Sequence, residues 1–306
     1  MRCRKCGAKA AINMREHRLS LCKDHFLGWL PAQVLHSIKK YSMFSHSDRV
    51  LIAVSGGKDS LALWDILSLL GYSTEGLYID LGIDGGIAYS DRSKEAAQQL
   101  AREHGLTLHI ADIRQLSGET ISQINERTHR GRSKPCSVCG LVKRHVMNQF
   151  ALDGGYDAVV TAHNLDDEAA ILFANTLDWS LSFLARGYPV LPAKPGFARK
   201  AKPFCRIYER ESAAYALLRG IAYSQDECPY SADSKQLAHK VTLNDWEDEY
   251  PGVKLRFYVH YLKALQSGAF PLPHENDPEL SDQLCPQCGQ PTNTGGLCTF
   301  CRLFQG

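Results

Sequence analysis

The sequence contains no apolar run long enough to cross a lipid bilayer, and its first residues include no apolar stretch of the signal-peptide type. These absences argue against membrane insertion and secretion, so we expect a cytoplasmic protein. The net charge of the 306 residues is only +2, and overall charge therefore does not indicate a nucleic-acid-binding protein. Low-complexity tracts are also missing, which favours a globular chain with one large domain or two smaller ones.

Cysteine, in contrast, is abundant, with 11 residues grouped near the two ends and in the middle. An odd number of cysteines without a secretory signal argues against a disulfide framework and favours metal or redox chemistry. Charge is uneven along the chain as well. Residues 1–50 contain ten Lys/Arg and three Asp/Glu, whereas residues 225–306 contain six Lys/Arg and eleven Asp/Glu. The near-neutral total therefore hides a basic first segment and an acidic last one.

The middle of the chain alternates short apolar segments with longer amphipathic ones. Residues 49–54 are predicted as a buried strand, and residues 59–70 as a helix with one apolar face. Repetition of this pattern predicts an α/β fold with a doubly wound parallel sheet. In such sheets ligands bind beyond the carboxyl ends of the strands. The other predicted strands are 74–81, 106–111 and 157–161; the other predicted helices are 92–104, 140–152, 166–185, 208–219 and 233–265, with an interruption near Pro251; loops are predicted at 189–204 and 268–278.

A glycine-rich turn joins the first predicted strand to the first predicted helix. Its glycines let the backbone approach a phosphate closely, and the helix N-terminus offers free N–H groups with a partial positive charge. Serine hydroxyls and a lysine ammonium add further donors. The spacing of a Walker A loop is absent. The turn is therefore predicted to bind nucleotide phosphates, and the alternative is an ordinary glycine-rich turn. Its residues are Ser55, Gly56, Gly57, Lys58, Asp59 and Ser60.

The cysteine groups at the two ends have the spacing of structural zinc sites. Two closely spaced pairs supply a tetrahedral set with no open position, which is typical of structural zinc. His17 is a less well spaced rival for the fourth ligand of the first group. A rubredoxin-like iron site would use the same ligands as the second group. The first group is Cys3, Cys6, Cys22 and His25, and the second, which fits a zinc ribbon, is Cys285, Cys288, Cys298 and Cys301.

The middle cysteines admit three interpretations. Cys136 and Cys139 form a C-x-x-C pair, and the other two cysteines of this region, Cys205 and Cys228, are distant in sequence. Three thiolates on a four-iron cluster would leave one iron open to an exogenous ligand. A redox dithiol and a zinc site with four cysteines are equally compatible with this spacing.

Polar residues follow the fourth predicted strand, at the edge of the sheet where a nucleotide would lie. His163 and Asn164 are followed by Asp166 and Asp167. Carboxylates at this place could hold Mg²⁺ or transfer a proton. The alternative is that these residues cap the next helix, because Asn and Asp are favoured N-caps.

Basic residues accompany the middle cysteines. Lys143 and Arg144 come one turn after Cys139 on a predicted helix. Further lysines and arginines cluster at 127–134 and at 194–206, the second set with interleaved phenylalanines. Phosphate-backbone contacts need such groups, although solvated surface loops have the same composition.

The ordered set of motifs resembles the TtuA family of tRNA 2-thiouridine synthetases, which are PP-loop ATP pyrophosphatases and include the eukaryotic cytosolic thiouridylase catalytic subunit. The resemblance covers nearly the whole chain. It rests on both terminal metal-type groups, the S-G-G-K-D-S turn at 55–60, Pro135 with the C-x-x-C pair, the H-N-x-D-D segment at 163–167, and Cys228 followed by Pro229.

The resemblance implies a HUP-like PP-loop fold and a division into three parts. Residues 1–45 would form an N-terminal zinc finger with a linker helix, residues 46–270 the catalytic domain, and residues 271–306 a zinc ribbon. A [4Fe-4S] cluster would be bound by Cys136, Cys139 and Cys228, with Cys205 left as a non-ligand and zinc at both ends. Lys143 and Asp167 match the family's catalytic positions, and Asp166 is a weaker candidate. ATP would place its phosphates on residues 55–60 and its adenosine near Ala53, Ile79 and Ala162.

The activity implied by the resemblance is ATP-dependent thiolation of a tRNA uridine. The C2 carbonyl oxygen of the base attacks the α-phosphate, and Lys58, Lys143 and Mg²⁺ offset the developing charge. Sulfur then replaces the oxygen and AMP leaves; in this family the sulfur comes from a thiocarboxylated ubiquitin-like carrier protein. The family also suggests a homodimer.

The uridine at position 54 of the T-loop is the favoured target. Thiolation there is typical of thermophiles, whereas the 11 Cys and 12 His of this chain are not a thermophile-like composition, which keeps the wobble uridine 34 as an alternative. Two other interpretations are a PP-loop enzyme that adenylates a small molecule and a non-catalytic RNA-binding subunit.

Overall fold

The computed structural model describes residues 1–230, 235–270 and 283–304. The first 40 residues form a small hairpin, β1 (Ile12–Met14) and β2 (Leu19–Leu21), followed by the helix α1 (Lys23–Lys40). A single 3-10 turn over Arg15–His17 connects the two strands of the hairpin. These elements form the N-terminal module.

The centre of the molecule is a six-stranded sheet. Every neighbouring pair in it is parallel except the last, and the predicted doubly wound α/β fold is therefore confirmed. In spatial order the strands are β5 (Leu108–Asp112), β4 (Ser73–Asp80), β3 (Arg49–Ala53), β6 (Ala158–Val160), β8 (Lys200–Ala201) and β7 (Val190–Leu191).

Helices cover both faces of this sheet. Helix α2 (Lys58–Leu69) is buried on every side from Ser60 to Leu67, so it is a central helix of the fold. It packs so closely on β4 that a Cβ at Gly76 would collide with the indole of Trp64. The remaining long helices are α3 (Tyr89–His104), α7 (Pro135–Asp153), α8 (Leu165–Leu177), α10 (Glu209–Arg219), α11 (Lys235–Glu249) and α12 (Val253–Gln266), and the short ones are α4 (Ile113–Ser117), α5 (Ile121–Arg127), α6 (His129–Ser133), α9 (Leu181–Ala185) and α13 (Thr299–Leu303).

The main hydrophobic core is continuous between the N-terminal module and the sheet. Phe26, Leu30 and Val34 on α1 are fully buried and belong to the same core as Val50 and Ile52 on β3. Because these apolar side chains are buried in a core shared with the sheet, the N-terminal module is packed firmly against the rest of the molecule. Within the described ranges, none of the helices combines the length and the hydropathy that a membrane span requires.

Several predicted elements need correction. The helix predicted over 166–185 is interrupted, because Trp179 adopts a left-handed φ of 48° and separates α8 from α9. The loop predicted over 189–204 contains β7 and β8, which are too short to show an alternating pattern. Helix α7 starts at Pro135, five residues before the predicted start, because proline suits the first position of a helix. Cys136 and Cys139 consequently lie in its first turns.

The remaining predictions concern the interruption near Pro251, one helix start, the linker, and the boundary before the last cysteine group. The interruption near Pro251 is confirmed, since α11 ends at Glu249 and α12 starts at Val253 after Gly252 with a φ of 90°. Three other predictions lie outside the described residues. They are most of the linker at 268–278, the boundary between 270 and 271, and the helix start at 233.

Candidate active site and metal centres

The glycine-rich turn follows β3 directly and leads into α2, as predicted. Ser60 Oγ accepts a hydrogen bond from the Ser55 backbone N–H at 3.1 Å and donates to the Gly57 carbonyl at 3.0 Å, which holds the turn in a closed loop. Gly56 has a φ of 77°, and a Cβ there would collide with the backbone of Ser93 on α3. Only glycine fits this position. Because Gly57 is the N-cap of α2 and makes no side-chain cap, the first N–H groups of the helix remain available to a phosphate.

Lys58 of this turn forms ion pairs with two carboxylates. Its Nζ lies 2.9 Å from Asp59 Oδ2 and 2.8 Å from Glu209 Oε1 at the start of α10. Asp59 also accepts a hydrogen bond from the hydroxyl of Ser212. Although burial favours the neutral amine, the two carboxylates outweigh this effect and raise the pKa of Lys58. The ammonium is therefore charged and is positioned beside the phosphate turn.

A row of alternating positive and negative side chains extends from Lys58 to Asp167, which follows β6. Lys240 on α11 lies 3.0 Å from Glu209 Oε2 and 2.6 Å from Asp167 Oδ1. Burial raises the pKa of Glu209, but Lys58 and Lys240 together lower it to about 2. Lys58, Glu209, Lys240 and Asp167 thus form one network between the phosphate turn and the first turn of α8. We call it the charged network.

Asp167 caps α8, one of the two roles that the sequence left open, and also forms an ion pair. Its Oδ2 accepts from the Asn164 backbone N–H at 3.1 Å, and Asn164 Oδ1 accepts from the Asp167 N–H at 3.1 Å, so the pair forms a capping box for α8. The second carboxylate oxygen remains for Lys240. The neighbouring Asp166 is different, because it is buried and accepts from Lys254 Nζ at 2.6 Å and from the Glu209 N–H at 2.7 Å. Asp166 therefore serves to join α8, α10 and α12.

A small cavity lies beyond the carboxyl ends of β3 and β4. It measures about 90 Å³, and its lining includes Ala53, Ser55 and Ile79, three of the residues predicted to contact ATP. Ala162 follows β6 and packs against the main core nearby. Lys143 on α7 also lines this cavity. Burial raises the pKa of the Cys139 thiol and the nearby Lys143 ammonium opposes that rise, so Lys143 lies close to both the cavity and the middle cysteines.

Cys136, Cys139 and Cys228 come together at the start of α7. Cys136 Sγ donates to the Tyr230 carbonyl at 3.3 Å, and both Cys136 and Cys228 lie close enough to Cys139 to affect its ionisation. Burial raises the pKa of Cys139, which is opposite to the lowered pKa typical of a redox C-x-x-C thiol. The three sulfurs do not all lie within 4.8 Å of one another, unlike those of the terminal groups. This wider arrangement suits a multi-iron cluster better than a single tetrahedral ion.

Cys205 lies apart from the other three cysteines. It is fully buried in the main core with Tyr41 and Tyr258, whereas Cys139 and Cys228 border a different apolar cluster. Burial raises the pKa of Cys205 to about 12. A zinc site made from all four middle cysteines is therefore incompatible with this arrangement.

The two terminal groups are preformed for a tetrahedral ion. Metal–sulfur bonds of about 2.3 Å place two sulfurs about 3.8 Å apart. The sulfurs of Cys6 and Cys22 are 3.7 Å apart, and so are those of Cys288 and Cys298. His25 Nδ1 lies 3.2 Å from Cys22 Sγ. All four ligand atoms of each group lie within 4.8 Å of one another, so these residues fit zinc.

Backbone N–H groups prepare these thiols for a metal. Burial raises the pKa of Cys3, but N–H groups of Cys22 and Lys5 outweigh it and lower the pKa to about 6. The Cys285 thiol follows the same pattern, since the N–H of Cys298 donates to it at 3.3 Å and its pKa falls to about 6 although burial opposes the change. Metals bind thiolates, so Cys3 in the first group and Cys285 in the second favour the ligating form. His17, the rival ligand, lies elsewhere and pairs with Glu211 at 2.9 Å.

Comparison with known proteins agrees with this geometry. A family described as the PP-loop domain matches residues 31–234, and one described as the N-terminal LIM domain of the 2-thiouridine synthetase TtuA matches residues 2–27. A tRNA-5-methyluridine(54) 2-sulfurtransferase from Thermus thermophilus is 44% identical over 99% of this chain and 91% of its own length. The chain belongs to the TtuA family. The resemblance drawn from its motifs is thereby confirmed.

Two further relatives extend the comparison. A Pyrococcus horikoshii protein of the same name is 39% identical, over 99% of this chain and 94% of its own. Among solved structures, the U34-tRNA thiolase NcsA from Methanococcus maripaludis, solved with its [4Fe-4S] cluster, superposes with a TM-score of 0.78 at 23% identity, covering 99% of this chain and 95% of the other. At that identity the superposition establishes the shared fold.

Some residues of this TtuA-type site could not be predicted from the sequence, because they belong to no motif. Glu209 is 151 residues from Lys58 in sequence, and neither it nor Lys240 belongs to a recognisable motif. Ser212, which donates a hydrogen bond to Asp59, likewise belongs to no motif. Several basic residues noted as candidate RNA contacts instead form internal bonds: Arg127 pairs with Glu119, Arg132 donates to the Glu126 carbonyl, and Lys202 pairs with Glu168.

The C-terminal cysteine group of this TtuA-family chain docks on α7. The ring of Phe300, next to Cys301, stacks on His145 with 3.6 Å between centroids and 7° between planes. The side-chain amide of Gln290 donates to the His145 carbonyl at 3.2 Å and lies 3.4 Å from its Nε2. Burial lowers the pKa of His145 from 6.5 to about 4. The docked ribbon therefore requires a neutral imidazole.

We expect this contact to weaken in acid. The pKa of His145 is lower in the folded state, so the unfolded chain binds more protons between pH 6.5 and 4. The stability from the neutral ring is thus present above pH 6.5 and is lost as the pH falls towards 4. His145→Gln removes this titration, and its melting temperature should fall less than that of the wild type between pH 7 and pH 4.5. An equal fall in both proteins would contradict the prediction.

Proposed function

We propose that the protein is an ATP-dependent tRNA 2-sulfurtransferase that replaces the C2 oxygen of a uridine with sulfur, with position 54 as its target. The names of the Thermus and Pyrococcus relatives support this activity. One structural observation carries it most directly. Lys143 lies between the cavity at the ends of β3 and β4 and the thiol of Cys139, so one side chain borders both the nucleotide site and the sulfur site.

The nucleotide site is assigned from the phosphate turn and the adjacent cavity. The backbone of residues 55–60 and the N-terminus of α2 hold the phosphates of ATP, and Lys58 supplies a positive charge. Ala53, Ile79 and Ala162 contact the adenosine. Asp59, Asp167 and Glu209 are the carboxylates available to Mg²⁺, which would neutralise phosphate charge when bound.

The first chemical step activates the base. The C2 carbonyl oxygen of the uridine forms a bond to the α-phosphorus while the bond to the bridging oxygen breaks, and pyrophosphate leaves. Lys58 and Lys143 stabilise the charge that develops on the phosphoryl oxygens. The base must leave its stack to reach this site, because a protein cannot reach the reacting atom while the base is stacked.

The second step replaces oxygen with sulfur. A sulfur nucleophile forms a bond to C2, the C2–O bond breaks, and the electron pair leaves with AMP. Asp167 accepts a proton or holds Mg²⁺ during the exchange, in a position maintained by Lys240. Cys136, Cys139 and Cys228 would hold a [4Fe-4S] cluster, which would supply iron that binds the sulfur for this exchange.

Three partners complete the proposal. The tRNA is supported by the groove of about 790 Å³ between α7 and the C-terminal ribbon, which is lined by Arg144, Lys194 and Lys200 and by the exposed Phe197. The family resemblance supports a thiocarboxylated ubiquitin-like protein as sulfur carrier, a homodimer, and a cytoplasmic location.

Mass spectrometry of the nucleosides in tRNA tests the proposal. In cells that lack the gene we expect loss of 2-thioribothymidine, the product of thiolation at position 54. Loss of a wobble 2-thiouridine would instead assign position 34. If no thionucleoside changes, tRNA thiolation is wrong, and adenylation of a small molecule by the same phosphate turn becomes the alternative.

A further inference from the structure

A recess between the N-terminal module and α12 is lined by arginines. It measures about 620 Å³ and lies between the hairpin β1–β2 and the segment from Pro251 to Arg256. A Cβ at Gly252 would lie 3.7 Å from the Glu16 carbonyl, so the two walls approach each other closely. Four exposed arginines contribute to the lining: Arg4, Arg15, Arg18 and Arg256. We call this feature the arginine recess.

None of these four guanidinium groups forms an ion pair with a carboxylate in the part of the chain that the structure describes. Other arginines do, since Arg49 pairs with Glu75, Arg92 with Asp226 and Arg219 with Asp65. The one acidic residue in the lining, Glu16, has a side chain that is only 3% exposed. The recess therefore presents uncompensated positive charge to solvent, and an anion is the ligand that fits it.

The zinc-binding residues help to shape the recess. Arg4 lies between the ligands Cys3 and Cys6, and its backbone N–H donates to the Ser20 carbonyl on β2 at 2.9 Å. Arg15 and Arg18 lie at the two ends of the 3-10 turn and its cap, where Arg18 adopts a left-handed φ of 50°. The backbone that carries three of the guanidinium groups is consequently well ordered before a ligand binds.

The start of α10 connects this region with the phosphate turn through three consecutive residues. Glu209 pairs with Lys58 at 2.8 Å. Arg210 donates to the Asn13 carbonyl on β1 at 2.6 Å, and Glu211 pairs with His17 at 2.9 Å. A polyanion lying in the recess would thus be held at a fixed position relative to the catalytic turn.

We propose that the arginine recess binds the phosphate backbone of the tRNA, at a site separate from the one that receives the reacting uridine. The inference rests on the proposed function. A tRNA carries closely spaced phosphates, and several arginines on one surface can contact more than one of them, with Arg256 on α12 joining the three arginines of the module. A single inorganic phosphate or pyrophosphate ion would engage only part of the lining.

The test measures tRNA binding over a range of salt concentrations for the wild type and for the double variant Arg15→Gln, Arg18→Gln. Loss of two phosphate contacts should weaken binding about tenfold or more and reduce the slope of log K against log salt by about 2. The matched control replaces two exposed arginines that do not line the recess, Arg102 on α3 and Arg114 on α4, with glutamine. The control should bind tRNA with the wild-type slope.

Further measurements separate the outcomes. Zinc content and melting temperature should match the wild type in every variant, and Arg256→Gln, on the opposite wall, should reduce the slope by about 1. Equal slopes in the wild type and the double variant would overturn the proposal. Unchanged tRNA binding together with loss of carrier-dependent sulfur delivery would also overturn it and would assign the recess to a protein partner. A wild type that binds no tRNA would instead overturn the proposed function.

Discussion

Replacing Cys136 with alanine is expected to abolish thiolation and leave the fold intact. The residue lies in the first turn of α7, is exposed, and makes one hydrogen bond, from its thiol to the Tyr230 carbonyl. Alanine is well suited to a helix, so little stability should be lost. Removal of one of the three proposed iron ligands should nevertheless lower the thiolation rate by about a hundredfold or more, because ligation sets the cofactor's affinity.

The measurement combines iron and sulfide analysis with single-turnover thiolation of tRNA under anaerobic conditions. Cys205→Ala is the matched control, since this thiol is fully buried in the main core and lies apart from the other three. The control should keep its iron and its activity, with a lower melting temperature from the lost packing. Zinc content should be two per chain in both variants. Full anaerobic activity of Cys136→Ala would show that the cluster is not needed.

Replacing Asp167 with asparagine is expected to stop catalysis without breaking the cap of α8. An asparagine oxygen can still accept from the Asn164 N–H, a bond of 3.1 Å in the wild type, but it cannot pair with Lys240 or bind Mg²⁺ as a carboxylate does. The thiolation rate should fall by about a hundredfold to a thousandfold. The melting temperature should change by no more than a few degrees, because the capping hydrogen bonds remain.

The converse variant, Asn164→Ala, distinguishes catalysis from capping. It removes the other half of the capping box while keeping the Asp167 carboxylate, and it should cost about 1 kcal/mol of stability. If Asp167→Asn is destabilised as much as Asn164→Ala and keeps its thiolation rate within a few-fold, Asp167 only caps the helix. The dependence of the rate on Mg²⁺ concentration gives a second readout, since capping alone would leave it unchanged.

Most of the fold was predictable because its signals are local. A buried strand, a glycine-rich turn and a helix follow one another within 49–70, and each is recognisable from a few neighbouring residues. The terminal cysteine groups were predictable for the same reason, since two ligands separated by two residues on a short turn can face one ion. The break at Trp179 was missed because the apolar pattern continues across it, and no glycine or proline marks the change of backbone direction.

The sequence by itself therefore determined four of the six sheet strands with their main helices, the phosphate turn, the two terminal metal groups and the family. Only the tertiary structure decided which distant charges meet, because packing of α10 and α11 against α2 and α8 is what brings Glu209 and Lys240 to Lys58 and Asp167. It also placed Cys205 in the core, away from the other middle cysteines, and left four arginines of one recess without carboxylate partners among the described residues. Such contacts depend on the relative positions of whole elements, which no short pattern of residues encodes.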